Sequence, residues 1–87
     1  MINAVIMHEN DTVVTVTNKV VAGEDISFIV NGKTFTVKAT SDIPIYHKAA
    51  VQSIAKDDDV IKYGERIGCA IRDIKPGDHV HTNNLDN

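Results

Sequence analysis

The sequence predicts a small all-β domain of short strands and tight turns, and three observations carry this prediction. First, Asn31-Gly32 separates two runs of β-forming residues, 26–30 and 33–37, which is the pattern of a hairpin with a type I′ turn. Second, residues 12–17 are all β-branched, as is typical of strands. Third, a seven-residue pattern of an apolar residue, a turn residue and a second apolar residue recurs along the chain.

This recurring pattern occurs at residues 20–26, 54–60 and 74–80, with Gly23, Asp57 and Gly77 in the central turn position. We interpret each copy as a corner. A buried apolar residue ends one strand, Gly or Asp turns the chain, and a second apolar residue returns to the same core. Because the copies are few and unevenly spaced, they predict a compact, convoluted β fold and not a solenoid.

Two hairpins account for the first half of the chain. Residues 3–7, which are mostly apolar, are expected to pair with 12–17, which places residues 8–11 at the tip of the first hairpin. In the second hairpin, Phe35 and Val37 alternate with threonines. Because alternate residues of a strand share a face, we expect one face of this strand to be buried.

The segment after the second hairpin is less regular. Pro44 has no backbone N–H to give to a sheet, so it confines residues 42–46 to a strand edge or a loop. Residues 47–54 include alanine and glutamine, which suit a helix, but the segment is short and its neighbours are strand-like. We therefore expect a short strand there.

Length and composition limit the kind of protein this is. The 87 residues predict one domain, 1–87, whose small core makes a site shared with another chain more natural than a deep pocket. A net charge of −3 argues against a nucleic-acid-binding surface. No apolar run approaches the roughly 20 residues of a membrane span, and the N-terminus does not predict a signal peptide. The single cysteine, Cys69, cannot form an internal disulfide, which favours a reducing, cytoplasmic location.

Two histidines near the C-terminal end are the first candidates for a functional site. His79 and His81 are separated by one residue, so in a strand their side chains would project from the same face. Such a pair could bind a substrate carboxylate, ligate a metal or transfer a proton. By spacing alone, an exposed edge-strand pair without a function is the favoured explanation.

Two further histidines have polar neighbours. Lys48 could hold a carboxylate while the adjacent His47 moves a proton, but an exposed pair after a proline loop fits equally well. Asp11 could fix the tautomer of His8 and raise its basicity. The alternative, slightly favoured by the residues alone, is a turn in which Asp11 bonds the backbone and His8 has no role.

Three other features have both a functional and a structural explanation. Lys62 and Tyr63 could supply a cation and a phenol to substrate oxygens, although such a tyrosine is more often half-buried packing. Cys69 lies in an apolar run, which favours a buried, inert thiol over a nucleophile. The acidic residues 57–59 could attract calcium, but without the ligand spacing of a known loop they are expected to form a solvated turn.

Motifs along nearly the whole chain match one family in order and spacing. They are His8-x-x-Asp11-x-Val13, His47-Lys48-x-Ala50, Val60-Ile61-Lys62-Tyr63-Gly64-x-x-Ile67-Gly68-x-Ala70 and Asp73-Ile74-x-x-Gly77-x-His79-Val80-His81-x-x-Asn84. With these motifs the chain resembles the small N-terminal module of the altronate dehydratase family. That family also includes galactarate dehydratase and the small (alpha) subunit of sulfolactate sulfo-lyase.

The resemblance implies a SAF-type domain of β-clip fold, acting as a small subunit or N-terminal module. It implies a larger lyase subunit or C-terminal domain as partner, and elimination of water or sulfite from an anionic hydroxy acid. The chain alone is then expected to be inactive, and a divalent metal, iron or manganese, is expected in the assembled enzyme. The catalytic candidates are His47, His79 and His81, of which His79 and His81 are also metal candidates. The substrate-binding candidates are His8, Lys48, Lys62, Tyr63 and Asn84.

Two positions depart from the family pattern. Many members have glycine before the His-Lys pair, where this chain has Tyr46, and glycine permits backbone conformations that tyrosine resists. Many members also have a third histidine where this chain has Asn83, and asparagine is a poorer transition-metal ligand. A three-histidine metal site is then incomplete, or the partner supplies the missing ligand.

The alternative function is a non-catalytic SAF-like module that binds a ligand or a partner.

Overall fold

The computed structural model describes residues 2–86, which form nine short strands connected by tight turns. The strands are β1 (Ala4–Val5), β2 (Val13–Val16), β3 (Asp25–Val30), β4 (Lys33–Lys38), β5 (Lys48–Ala50), β6 (Asp59–Lys62), β7 (Glu65–Ala70), β8 (His79–Val80) and β9 (Leu85–Asp86). The described part of the chain contains no helix that is long and apolar enough to cross a membrane. The predicted all-β class is confirmed.

The largest sheet has the strand order β1-β2-β5-β8, and it carries Lys48 on β5 and His79 on β8. The predicted N-terminal hairpin is confirmed, since Ala4 of β1 lies opposite Val16 of β2. The predicted short strand after the Pro44 loop is β5, which pairs with β2 on one side and β8 on the other. Ala49 of β5 therefore lies opposite His79 of β8. The strands β3-β4 and β6-β7-β9 form two smaller sheets.

All three predicted corners are present, and the central residue of each has a left-handed backbone. The φ angle is +90° at Gly23, +75° at Asp57 and +92° at Gly77. A fourth corner, which the sequence pattern did not reveal, spans residues 43–49 and has Tyr46 at its centre with a φ of +67°. In every corner the residue after the centre donates its N–H to the carbonyl three positions earlier, so an equivalent hydrogen bond closes each of the four turns.

The corners associate in pairs, and each pair contributes to one half of the core. Val20 and Ile43 exchange backbone hydrogen bonds, and so do Ile54 and Ile74. The buried apolar residues form two clusters that follow this division. The first cluster includes Val16, Val20, Ile26, Phe28 and Ile43, and the second includes Ile54, Val60, Ile74 and Val80.

The second hairpin forms as predicted but is less buried than expected. Asn31 and Gly32 have φ angles of +50° and +79°, as the type I′ turn requires. The expectation that one face of the second strand, β4, is buried is wrong, because Phe35 is 47% exposed and Val37 is only half-buried. β3 packs on the core, whereas β4 pairs only with β3, and of its side chains only that of Val37 is partly buried against the core. Phe35 is left stacked on Phe28, with 6.0 Å between the ring centroids.

Candidate functional site

Three of the four histidines come together beside strand β8. His47 Nδ1 lies 2.9 Å from His79 Nε2, which is a hydrogen-bond distance. One nitrogen from each of His47, His79 and His81 lies within 4.8 Å of the others. His47 and His79 are half-buried and His81 is exposed. These three residues, called the histidine cluster below, form an open site at the surface of the domain.

The strand pairing explains how residues so far apart in sequence meet. The rings of His79 and His81 stack with 9° between their planes, consistent with the predicted common face. His47 comes from the fourth corner, where its N–H donates to the Pro44 carbonyl and its own carbonyl accepts the N–H of Val16. This corner leads into β5, and because β5 pairs with β8, the His47 ring reaches His79.

The side chain of Asn84 holds the backbone of His79 and His81 by two hydrogen bonds. Its Nδ2 donates to the His79 carbonyl at 2.7 Å, and its Oδ1 accepts the His81 N–H at 2.9 Å. The residue is 6% exposed, and both ends of its amide are engaged by the backbone of residues 79–81. The sequence predicts Asn84 to bind substrate, whereas its observed contacts hold two histidines in place.

The charges around the histidine cluster are positive. Burial lowers the pKa of His79, and the charges of the two neighbouring histidines and of Lys48 lower it further. The pKa of Lys48 is lowered by burial and then by the charge of Lys62. A histidine with a depressed pKa is neutral near pH 7, so its ring nitrogen can accept a proton or bind a metal. The positive charges of Lys48 and Lys62 favour the binding of a ligand that carries a carboxylate.

Lys62 and Tyr63 lie on the β6–β7 turn, which comprises residues 62–64. Tyr63 and Gly64 have φ angles of +58° and +72°, so this is a second two-residue turn with a left-handed backbone. Lys62 Nζ lies 5.1 Å from the centroid of the Tyr63 ring. Tyr63 is exposed and not packed in the core, and Lys62 is half-buried, so the Tyr63 phenol is accessible to a ligand.

His8 lies apart from the histidine cluster. It is not a member of the three-histidine group, and its ring lies against Gly64, 3.1 Å from the position of a Cβ added there. The carboxylate of Asp11 bonds neither His8 nor a local turn. Its Oδ2 accepts the Tyr63 N–H at 3.0 Å and its Oδ1 accepts the Gly64 N–H at 2.8 Å, 52 and 53 residues further along the chain. No local signal in the sequence predicts this contact.

The remaining candidates have structural surroundings. Cys69 is a free, partly buried thiol on β7. In the acidic cluster 57–59, Asp57 is the centre of a corner, and Asp59 Oδ1 accepts a bond from Arg66 Nε at 2.7 Å. These contacts agree with a turn at the surface.

The donor set of the histidine cluster fits a divalent transition metal. Imidazole nitrogens suit such ions, and the cluster brings three of them together. Asn83 occupies the position of the third histidine in the family pattern, but His47 supplies a third imidazole from the fourth corner. The sequence predicts His47 as a catalytic residue and not as a metal candidate.

A small antiparallel fold built from paired corners, with a histidine cluster at the edge of its largest sheet, defines a β-clip domain that presents a surface site. Comparison with protein families makes the assignment specific. Residues 2–87 match the altronate/galactarate dehydratase SAF domain, and the chain belongs to that family.

Curated relatives are of two kinds. The chain is 34% identical over 86 residues to (2R)-sulfolactate sulfo-lyase subunit alpha of Chromohalobacter salexigens, covering 92% of this chain and 89% of the relative. The subunit of the same name from Paracoccus pantotrophus is 48% identical over 50 residues, which is 58% of this chain and 75% of the relative. Altronate dehydratase of Escherichia coli is 38% identical over 78 residues, covering 90% of this chain but 15% of that enzyme. The chain thus corresponds to most of a small subunit or to a small part of a larger enzyme.

Proposed function

We propose that this chain is the small subunit, or an N-terminal module, of a hydroxy-acid lyase. It contributes the histidine cluster to an active site that a larger chain completes. The family match and both kinds of relative support the proposal. The observation that carries it is the cluster itself, which places three imidazoles within 4.8 Å of one another on a domain too small to enclose a substrate. The free Cys69 thiol is compatible with the cytoplasmic location that we also propose.

The proposed reaction is a β-elimination from an anionic hydroxy acid. A base removes the proton from the carbon next to the carboxylate, and that electron pair forms a C=C bond as hydroxide or sulfite leaves the neighbouring carbon. The resulting enol rearranges to a 2-oxo acid. Lys48 and Lys62 hold the carboxylate by charge, and Tyr63 offers its phenol to substrate hydroxyls. The lowered pKa of His79 keeps its ring neutral near pH 7, so without a metal this ring nitrogen is free to accept a proton.

A divalent metal, iron or manganese, is the proposed cofactor, and the residues that would hold it are His47, His79 and His81. When bound, it would polarise a substrate oxygen and assist the leaving group. A ring nitrogen that ligates a metal cannot also take a proton, so with metal bound the base comes from the larger chain.

Co-expression with the neighbouring large lyase subunit tests the proposal. Aldonic, aldaric and sulfonated hydroxy acids are then screened for 2-oxo acid formation. We expect product from the assembled enzyme, none from this chain alone, and a fall in kcat of about 100-fold or more in His79→Gln. Lys48→Gln should raise KM, whereas Lys56→Gln, at an exposed corner, should leave KM unchanged. Turnover by the chain alone, or full activity of His79→Gln, would contradict the proposal.

Metal binding is tested separately by adding Mn²⁺ to the purified chain and recording NMR spectra. Paramagnetic broadening should reach the ring signals of the histidine cluster first and leave the separate His8 ring sharp. Equal broadening of all four rings would show only weak surface binding. A chain that purifies as a monomer, binds hydroxy acids and has no lyase partner would support the non-catalytic alternative.

A further inference from the structure

Asp11 is a buried acidic side chain that the proposed reaction does not use. It is 1% exposed, and no other aspartate or glutamate between residues 2 and 86 is buried. Removing a carboxylate from water is costly unless hydrogen bonds replace its hydration. The partners of the Asp11 carboxylate therefore indicate what this residue does.

Both oxygens of Asp11 are used by one turn. They accept the consecutive N–H groups of Tyr63 and Gly64, so the carboxylate binds the β6–β7 turn at two points. Next to it, Thr12 Oγ1 accepts the Ile61 N–H at 3.0 Å, and the Thr12 N–H donates to the Ile61 carbonyl at 3.1 Å. Four hydrogen bonds thus join the two residues before β2 to the β6–β7 hairpin.

This turn carries side chains that the proposed function uses. Lys62 is its first residue, and the charge of Lys62 acts on Lys48 beside the histidine cluster. On its other side, Gly64 provides the surface against which the His8 ring lies. The strand that follows Asp11 also pairs with β5, which carries Lys48. Asp11 therefore connects the strand that supports the cluster to the turn that bears the second lysine.

We propose that Asp11 is a positioning residue, which fixes the β6–β7 turn so that Lys62 and His8 are held relative to the histidine cluster. The inference rests on the proposed function for its consequence, which is grip on an anionic substrate. Its structural part stands on the four hydrogen bonds alone. Only a carboxylate serves here, because an asparagine has one acceptor oxygen and its NH₂ group would face the second N–H donor.

The test compares Asp11→Asn with Asp73→Asn in the full chain by NMR relaxation. Asp73 is the matched control because its Oδ1 also accepts a backbone N–H, that of Lys56 at 2.9 Å, in a different corner. In Asp11→Asn we expect the NMR order parameters of residues 62–64 to fall and the contact between His8 and Gly64 to be lost. In Asp73→Asn we expect neither change. An unchanged turn in Asp11→Asn would overturn the inference. If that variant does not fold, Thr12→Val removes one neighbouring bond and should loosen the same turn.

The consequence is tested by titrating altronate and (2R)-sulfolactate into the same variants. When the turn is mobile, Lys62 should lose its charge-assisted contact with the substrate carboxylate. We therefore expect Asp11→Asn to bind these acids about tenfold more weakly and Asp73→Asn to bind them as the wild type does. A mobile turn combined with wild-type affinity would overturn the role of Asp11 in substrate binding while leaving the proposed function intact. Failure of the wild-type chain and the assembled enzyme to bind either acid would count against the proposed function, and the relaxation data would still decide whether Asp11 fixes the turn.

Discussion

Replacing Tyr46 by glycine should stabilise the domain, although it removes a large side chain. Tyr46 has a φ of +67° at the centre of the fourth corner, a conformation that costs a residue with a Cβ roughly 1–2 kcal/mol. Glycine removes this cost but loses roughly 0.5–1 kcal/mol more backbone entropy on folding. The tyrosine is 71% exposed, so little packing is lost. The midpoints of these two ranges favour glycine by about 0.75 kcal/mol, which for a domain of this size raises Tm by roughly 3–6 °C.

The comparison that isolates the backbone is Tyr46→Gly against Tyr46→Ala. Both variants lose the phenol, but alanine keeps the Cβ and its strain. Urea unfolding should therefore rank glycine above alanine at this position. At the exposed Lys19, which is not among the described residues with positive φ, the ranking should be the reverse by about 0.5–1 kcal/mol. If alanine is the more stable variant at both positions, the assignment of strain to Tyr46 is wrong.

Three further predictions concern the frame of the site. Gly77→Ala should cost about 3 kcal/mol or more in urea unfolding, because the new Cβ would lie 1.8 Å from a carbonyl oxygen at the end of β4; a loss below 1 kcal/mol would refute this contact. Asn84→Ala should cost about 1–3 kcal/mol and broaden the histidine NMR signals, whereas the exposed Asn83→Ala should do neither. In the metal-free chain, His79 should titrate below the usual 6.5, so the unfolded state binds the proton first and the free energy of unfolding falls as pH drops below about 6.5. His81→Asn should raise the His79 pKa and weaken this pH dependence; an unchanged titration would contradict the like-charge contribution.

Local signals in the sequence predict the corners whose turn residue is glycine or aspartate, and they fail where it is not. Gly23 and Gly77 mark their corners because only glycine adopts positive φ without strain. Tyr46 adopts the same conformation against its preference, so no turn signal marks the corner that carries His47. The common face of His79 and His81 follows from the two-residue period of a strand.

Long-range pairing is what the sequence does not reveal. His47 joins the cluster only because β5 pairs with β8, and the register of that pair depends on the whole sheet. Asp11 likewise bonds a turn 52 residues away, although its neighbours indicate only a local turn. The exposure of Phe35 has the same origin, because alternation along a strand shows which side chains share a face and not whether anything covers that face.

The four corners have the same backbone conformation but differ in the side chain of the second residue after the centre. This difference explains how a repeated scaffold produces a single site. In two corners this residue is an aspartate paired with a basic side chain on the next strand of its hairpin. The pairs are Asp25–Lys38 and Asp59–Arg66, each at 2.7 Å and largely exposed. In the other two corners the same position is Lys48 and His79. Those corners lead into strands that pair with each other and not within a hairpin, so their side chains gather beside one sheet edge. In corners 20–26 and 54–60 this position therefore carries an exposed ion pair, which contributes little to stability. In corners 43–49 and 74–80 the same position supplies a lysine and a histidine of the proposed site.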